Sequence, residues 1–369
     1  MRKIIHLSSV HERYDTRIFI KQCRSLADKG YNTSLVVADG LPDEQKDGVV
    51  IYGLPKATGR LKRILNTPRL MFDKAIALDA DIYHLHDPEL LPIGLKLKRM
   101  GKRVIFDSHE DASGQMLAKP YLNPAILRLM ARVLAMYERY ACSKLDGIIT
   151  ATPFIQKKFL RINPTSLDIN NFPLIGELDS AIPWEKKHNE VCYVGGITAI
   201  RGIHEIVKAC ELLQSSAQLN LVGNFSESAT ELLVKSYPGW SKINEKGFLD
   251  REGVKSVLGR SLAGLVTFLP QTNHINAQPN KMFEYMSSSI PVIASNFPLW
   301  REIVEGTKCG LCVDPLNPKA IAGAIDYIVQ NPEIACSMGE NGRKAVLSKY
   351  NWAVEEMKLL KFYSQILKN

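Results

Sequence analysis

At 369 residues, with 46% apolar and 23% charged residues, the chain has the makeup of a folded protein of about two domains. No run of about 18 apolar residues occurs, so no bilayer-spanning helix is expected. Met1–Ser9 holds too short an apolar run for a signal peptide, which points to the cytosol. The net charge of +9 lies wholly in the first half: residues 1–172 hold 27 Lys and Arg against 18 Asp and Glu, and residues 173–369 hold 20 of each. That imbalance suggests an anionic partner for one half, a membrane surface or a phosphorylated substrate, with no nucleic acid expected.

The first half alternates apolar runs with helical patterns. Strands are expected at Lys3–Ser8, Thr33–Val37, Gly48–Tyr52 (as a possible edge), Ile82–His84, Arg103–Asp107 and Gly147–Thr150. Helices are expected at Ile18–Lys29, around Leu90–Met100, and over Pro124–Cys142. The second half repeats the scheme, with strands Val191–Val194, Leu219–Val222, Leu265–Phe268, Val292–Ala294 and Gly310–Val313 and a helix at Ile203–Gln214. Strands alternating with helices predict parallel sheets covered on both faces. The fold class is therefore α/β, two Rossmann-like doubly wound domains, 1–172 and 173–350, facing a cleft. A last helix, 351–369, is placed to return to the first domain. Ligands on such sheets bind at the carboxyl ends of strands. Seven scattered cysteines form no disulfide framework, and Cys309-Gly310-Leu311-Cys312 reads as a buried strand entering a turn.

Several constellations fall at those strand ends. In Pro279-Asn280-Lys281-Met282-Phe283-Glu284, the Pro-Asn pair predicts a helix start with Asn280 as cap. A helix N-terminus offers partial positive charge and open donors, to which Lys281 adds a full cation. Glu284, one turn on, can grip a pair of sugar hydroxyls. Val191–Val194 runs into Gly195-Gly196 and then Arg201, so backbone can approach a bulky ligand and a guanidinium can fork onto a diphosphate. Arg201 and Lys281 are both expected to be solvent-accessible when no ligand is bound. The loop is neither GxGxxG nor a Walker loop, which counts against hydride transfer and ATP hydrolysis.

In the first half, His84-Leu85-His86-Asp87 and Asp107-Ser108-His109-Glu110 each follow a strand. Two His rings spaced by one residue face one side if the strand continues, as metal ligands would. No third ligand stands at a diagnostic spacing, so hydrogen bonding to sugar is the preferred reading and no metal is assigned. In His11–Arg17, Asp15 or Thr16 can cap the following helix with Arg17 as a solvated first-turn residue. Alternatively the loop faces an acceptor.

On Gly195-Gly196 with Arg201-Gly202, on Lys281–Ile293, on the His109 loop and on Ser348–Trp352, the chain resembles the large family of retaining, nucleotide-sugar-dependent glycosyltransferases with the GT-B fold. Within it, the chain looks like bacterial enzymes that build lipopolysaccharide, O-antigen or capsule saccharides. The family often carries two glutamates seven residues apart. The second matches Glu284, whereas the first position is Asn276 here, an amide that cannot supply negative charge to the donor sugar. The resemblance implies retention and no required metal or other cofactor. It also implies that Arg201 and Lys281 meet charge on the leaving diphosphate, that Glu284 holds the ribose, and that His109 touches the donor sugar.

The reading is a cytoplasmic, membrane-associating transferase that moves a sugar, hexosyl or N-acetylhexosaminyl, from a nucleoside diphosphate to a saccharide, a lipid-linked one. His109, Arg201 and Lys281 are the candidate catalytic residues. Gly195, Gly196, Asn276, Asn280 and Glu284 bind the donor, and His11, Arg17 and His86 stand toward the acceptor. Basic and apolar residues mixed in Arg60–Leu65, Leu95–Met100 and Leu122–Val133 supply an anionic-membrane face. The alternatives are a nucleotide-sugar epimerase or hydrolase on the same scaffold, and a catalytically silent saccharide-binding subunit.

Overall fold

Two compact units divide the chain, Met1–Asn171 with Val354–Asn369, and Phe172–Ala353. The computed structural model describes residues 2–111, 114, 124–179 and 182–368, without the side chains of Arg60, Leu61 and Pro124.

Among the described residues the first unit carries eight strands: β1 (Lys3–Ser8), β2 (Asn32–Val37), β3 (Glu44–Lys46), β4 (Val49–Gly53), β5 (Ile82–Leu85), β6 (Arg103–Ser108), β7 (Gly147–Thr150) and β8 (Ser166–Asp168). Their order is β3-β4-β2-β1-β5-β6-β7-β8, and only β3 runs antiparallel to its neighbour. β4 is thus not the edge: the short β3, with Glu44 and Lys46, covers it with a charged strand. Helices include α1 (Pro124–Cys142) and α2 (Pro153–Leu160). The strand order reverses beside β1, so the carboxyl ends of β1 and β5 form the switch point where such sheets place ligands.

The second unit is an all-parallel sheet of six strands: β9 (Glu190–Val194), β10 (Gln218–Val222), β11 (Ile243–Gly247), β12 (Ala263–Val266), β13 (Val292–Ser295) and β14 (Gly310–Val313), in the order β11-β10-β9-β12-β13-β14. Side chains alternate between two apolar layers. Cys192 and Val194 enter one core with Val292 and Ala294, while Val191 and Tyr193 enter the other with Ile293. Burial on both faces explains why these strands read as unbroken apolar runs. Between β12 and β13 lies α3 (Asn280–Ser287). Its cap position is Pro279 and no side chain caps it, so Asn280 is the first helical residue rather than the cap.

The last helix, α4 (Trp352–Lys368), joins the first unit from Val354 onward. Glu355 accepts from the Asn170 amide at 2.8 Å, and Lys358 from the same helix reaches Asp168 at 3.0 Å. Gly147 makes room for it: a Cβ there would fall 2.5 Å from Phe362.

Among the described residues no helix is long and apolar enough to cross a membrane. Several cations that the sequence offers to a bilayer are otherwise engaged. Arg63 pairs with Glu89 at 3.0 Å and Lys98 with Asp146 at 2.8 Å, and Lys96 lies 5.3 Å above the Phe72 ring. Leu122 and the side chains of Arg60 and Leu61 lie outside the described residues.

Candidate active site

In the second unit, β9 ends at Gly195-Gly196, where the chain turns away with φ +117° at Gly195. Backbone excludes a side chain at Gly223, whereas at Gly196 the nearest atom is the movable end of Arg201. A Cβ on Gly196 would fall 2.9 Å from Arg201 Nη1, and one on Gly223 would fall 2.1 Å from the Gly195 carbonyl oxygen. Arg201 is half-buried, donates to the Gly196 carbonyl at 3.0 Å, and lies 5.5 Å over Phe268.

Lys281, from the first turn of α3, rises to the same loop. Its Nζ is 3.3 Å from where a Gly195 Cβ would stand and 3.5 Å from the Tyr193 ring centroid. The residue is 8% exposed, contrary to the accessible cation that the sequence suggests. Its amino group has no hydrogen-bond acceptor among the described residues. Burial, and then the nearby charge of Arg201, push its pKa well below the usual lysine range. Thr198 Oγ1, Thr267 Oγ1 and Gln278 Oε1, in the segments flanking Arg201, β12 and α3, are likewise buried without partners. Buried polar groups are ordinarily satisfied, so unpaired ones gathered on these loops mark a place awaiting a polar ligand.

Glu284 is not free. Its carboxylate takes a 2.8 Å contact from Arg251, which also holds Glu177 at 2.8 Å. Sequence reading missed Arg251, which lies 33 residues upstream of its partner. Asn276 follows the short helix Thr272–Ile275 as its half-buried terminal cap, and Asn280 is exposed.

In the first unit the parallel register sets His6 directly beside His84. From there a chain of rings runs to the strand ends. His6 and His86 share a hydrogen bond at 2.8 Å, and His86 meets His109 at 3.2 Å. Tyr363 of α4 closes the inner end, its hydroxyl 2.6 Å from His84 Nδ1 and 3.3 Å from His6 Nε2. Burial lowers the pKa of His6 and His86, and that of His84 to about 3, so these rings are neutral. Sequence reading missed His6, because only the strand register brings it to the cluster.

Two acceptor-side candidates need correction. His86 has no exposed side-chain surface, so it orients His109 rather than meeting a substrate. Arg17 is neither solvated nor available. Its guanidinium, 5% exposed, forks onto Asp107 at 2.8 and 3.0 Å and donates to the Ile169 carbonyl at 2.6 Å. Burial works against the Asp107 carboxylate, but the charges of Arg17 and His109 hold its pKa well below the usual range. Asp15 supplies the helix cap, accepting from the amides of Arg17 and Ile18 at 2.8 Å. His11 remains open, 25% exposed, with its ring 4.7 Å from that of His109. Burial, the largest single influence, disfavours the charged ring of His11, but the hydrogen bond and charge of Asp87 together with the charges of Asp15 and Asp107 outweigh it and raise the pKa.

Ligand-type atoms of His6, His84 and His86, and of His86, Asp107 and His109, lie within 4.8 Å of one another. The first set is drawn together as a hydrogen-bonded pair at 2.8 Å, shorter than the ~3.3 Å that two nitrogens at zinc bond lengths would keep in a tetrahedron. In the second set, the Asp107 carboxylate is already taken by Arg17 and by Gln22 at 2.7 Å.

Comparison with known proteins follows the same two-unit division. A family model described as glycosyl transferases group 1 matches residues 176–345, and one described as glycosyltransferase family 4 matches residues 17–167. The capsular polysaccharide biosynthesis glycosyltransferase CapM of Staphylococcus aureus is 24% identical over 183 residues, 48% of this chain and 46% of that protein, so the match spans about half of this relative. Among solved structures, sucrose-phosphate synthase from Thermosynechococcus elongatus superposes with a TM-score of 0.81 at 19% identity, covering 100% of both chains. The Anabaena protein HepE, solved in complex with UDP-glucose, gives 0.75 at 14% identity over 99% of this chain and 100% of that one. These likenesses show the two-domain GT-B fold.

Proposed function

We propose that the chain is a glycosyltransferase of the group 1 type, the family whose model matches residues 176–345, and that it moves a sugar from a nucleoside-diphosphate donor to a lipid-linked saccharide, with retention, in the assembly of a cell-surface polysaccharide. One observation carries the reading: the amino group of Lys281 is buried with no hydrogen-bond acceptor among the described residues, beside Arg201 and against a glycine loop. A diphosphate supplies the missing acceptor oxygens and the compensating charge. The UDP-glucose bound to HepE and the capsule role in the name of CapM support the donor class and the pathway.

In this reading the bond between the anomeric carbon and the diphosphate oxygen breaks with its electron pair going to the diphosphate. Arg201 and Lys281 stabilise that charge, the largest electrostatic contribution expected of such a site. The acceptor hydroxyl attacks from the same face, and its proton passes to the departing phosphate oxygen. Glu284 holds the ribose and Arg251 fixes its carboxylate. His109, oriented through His86, hydrogen-bonds the sugar, and His11 stands toward the acceptor. Two cations at the diphosphate leave no call for a metal. The enzyme works in the cytoplasm, on the inner face of the cell membrane.

The test follows a panel of nucleotide sugars with and without saccharide acceptors and assigns the product anomer by NMR. Donor consumption only in the presence of acceptor, with retention, is expected. Donor cleaved or isomerised without acceptor would show a hydrolase or an epimerase instead.

A further inference from the structure

The helix α1 has three faces. Leu127, Ala131, Ala141 and Cys142 turn into the core. Ile126, Leu129, Met130, Val133, Met136 and Tyr140 are instead 52%, 64%, 44%, 58%, 72% and 54% exposed. At about 100° per residue these six share one arc of about 120°. Arg128, Arg132 and Arg139, all exposed, form a ridge along its flank, within about 40° of one another by the same spacing. The one acid of the helix, Glu138, is 2% exposed and held by Lys158.

The surface continues onto α2, where Phe154 and Leu160 are 48% and 46% exposed and Lys157 and Arg161 point to solvent. Where the helices meet, Met136, Tyr140 and Ile162 wall a groove of about 450 Å³ that also presents Arg139 and Arg161. None of Arg128, Arg132, Arg139, Lys157 and Arg161 has an acidic partner among the described residues. So large an apolar stripe marks an interaction site. The exposed charges named along its flank and on α2 are all basic, so the same face of a second copy would meet it with like charge.

We propose that this face of α1 and α2 docks on an anionic lipid bilayer, with the apolar arc in the acyl boundary and a lipid phosphate between Arg139 and Arg161. Basic amphipathic helices lie in the interface in this way, with the apolar face entering and the cations at the headgroups. The proposal rests on the reading of a lipid-linked acceptor, and it replaces the cations near Lys62 and Lys96 as the membrane contact.

Flotation of the full chain with phosphatidylcholine vesicles, and with vesicles that also contain phosphatidylglycerol, tests it. Binding to the anionic vesicles alone, weakened by salt, is expected. Arg128→Gln, Arg132→Gln and Arg139→Gln together should lower partitioning on the order of a hundredfold, about fivefold for each cation near the surface. Leu129→Ser with Met136→Ser should lower it roughly tenfold or more, while Lys62→Gln with Lys96→Gln leaves it unchanged. Sugar transfer to a soluble acceptor is measured in parallel. Vesicle binding without transfer overturns the enzymatic reading and keeps this one, and transfer without binding does the reverse. Binding that survives both α1 variants would contradict the assignment. So would a dimer, seen by sedimentation, that dissociates in the Leu129→Ser, Met136→Ser variant.

Discussion

The amino group of Lys281 sits 3.5 Å from the centroid of the Tyr193 ring and touches no acceptor oxygen among the described residues. A cation–π contact compensates only part of what an ammonium loses on leaving water. The free protein therefore holds an incompletely compensated group, and a phosphate ligand completes it.

Replacing that lysine should separate stability from binding. Lys281→Met should raise the stability of the free protein by roughly 1–3 kcal/mol, the ordinary cost of a buried unsatisfied polar group. It should also weaken nucleoside-diphosphate binding on the order of tenfold to a hundredfold, since a charge-assisted contact contributes about 1.5–3 kcal/mol. Chemical denaturation and calorimetry read the two effects. A variant both less stable and equally tight would show the lysine to be structural.

The pKa of Lys281 is lowered by burial, so the unfolded chain binds more protons there than the free protein does. The penalty on stability is therefore full below the folded pKa and fades as pH rises toward the ordinary value of 10.5. An anionic ligand favours the charged form, so nucleoside-diphosphate binding should take up a proton at pH values above the lowered pKa. Calorimetry in buffers of different ionisation enthalpy measures the uptake. Affinity should fall with rising pH across that window, and Lys281→Met should abolish the dependence. Equal proton linkage in the variant would place the titrating group elsewhere.

Arg17 and Asp107 are a buried pair, and breaking one half leaves the other charge uncompensated. Arg17→Met should cost about 3–5 kcal/mol of stability. Asp107→Asn with Arg17→Met should recover part of that cost. Loss of acceptor affinity at wild-type stability would restore Arg17 to the acceptor side.

The histidine chain ends on a single hydroxyl. Tyr363→Phe strips the partner from His84 Nδ1 and from His6 Nε2. Stability should fall by about 1–3 kcal/mol, and any loss of turnover should come through the orientation of His109, with the affinity for free nucleotide unchanged. A weaker nucleotide affinity would contradict a purely positional role.

Much of this was legible in the sequence where signals are local. Pro124–Cys142, Gly147–Thr150 and Gly310–Val313 match their helix and strands residue for residue, because apolar runs end there at Gly, Pro or charge. Ile243–Gly247 was not legible: it is a polar, half-exposed edge strand without an apolar face. Helix Arg60–Leu78 was obscured by Pro68 within it. At the site, the residue types on the loops after β6 and β9 pointed to sugar and phosphate. What was missed is non-local. His6 reaches His84 through the β1–β5 register, Arg251 reaches Glu284 across two elements, and the burial of Arg17 and Lys281 depends on what packs around them. Charge in a sequence does not say whether its bearer is solvated.

The most direct test of the central claim is a titration of the wild-type protein and of the Arg201→Ala, Lys281→Ala double variant with nucleoside diphosphates and with the matching monophosphates. The wild type should bind one diphosphate class more tightly than its monophosphate, and the double variant should lose that preference. Equal affinity for mono- and diphosphate in the wild type, or a preference untouched in the double variant, would contradict a diphosphate seat at Arg201 and Lys281.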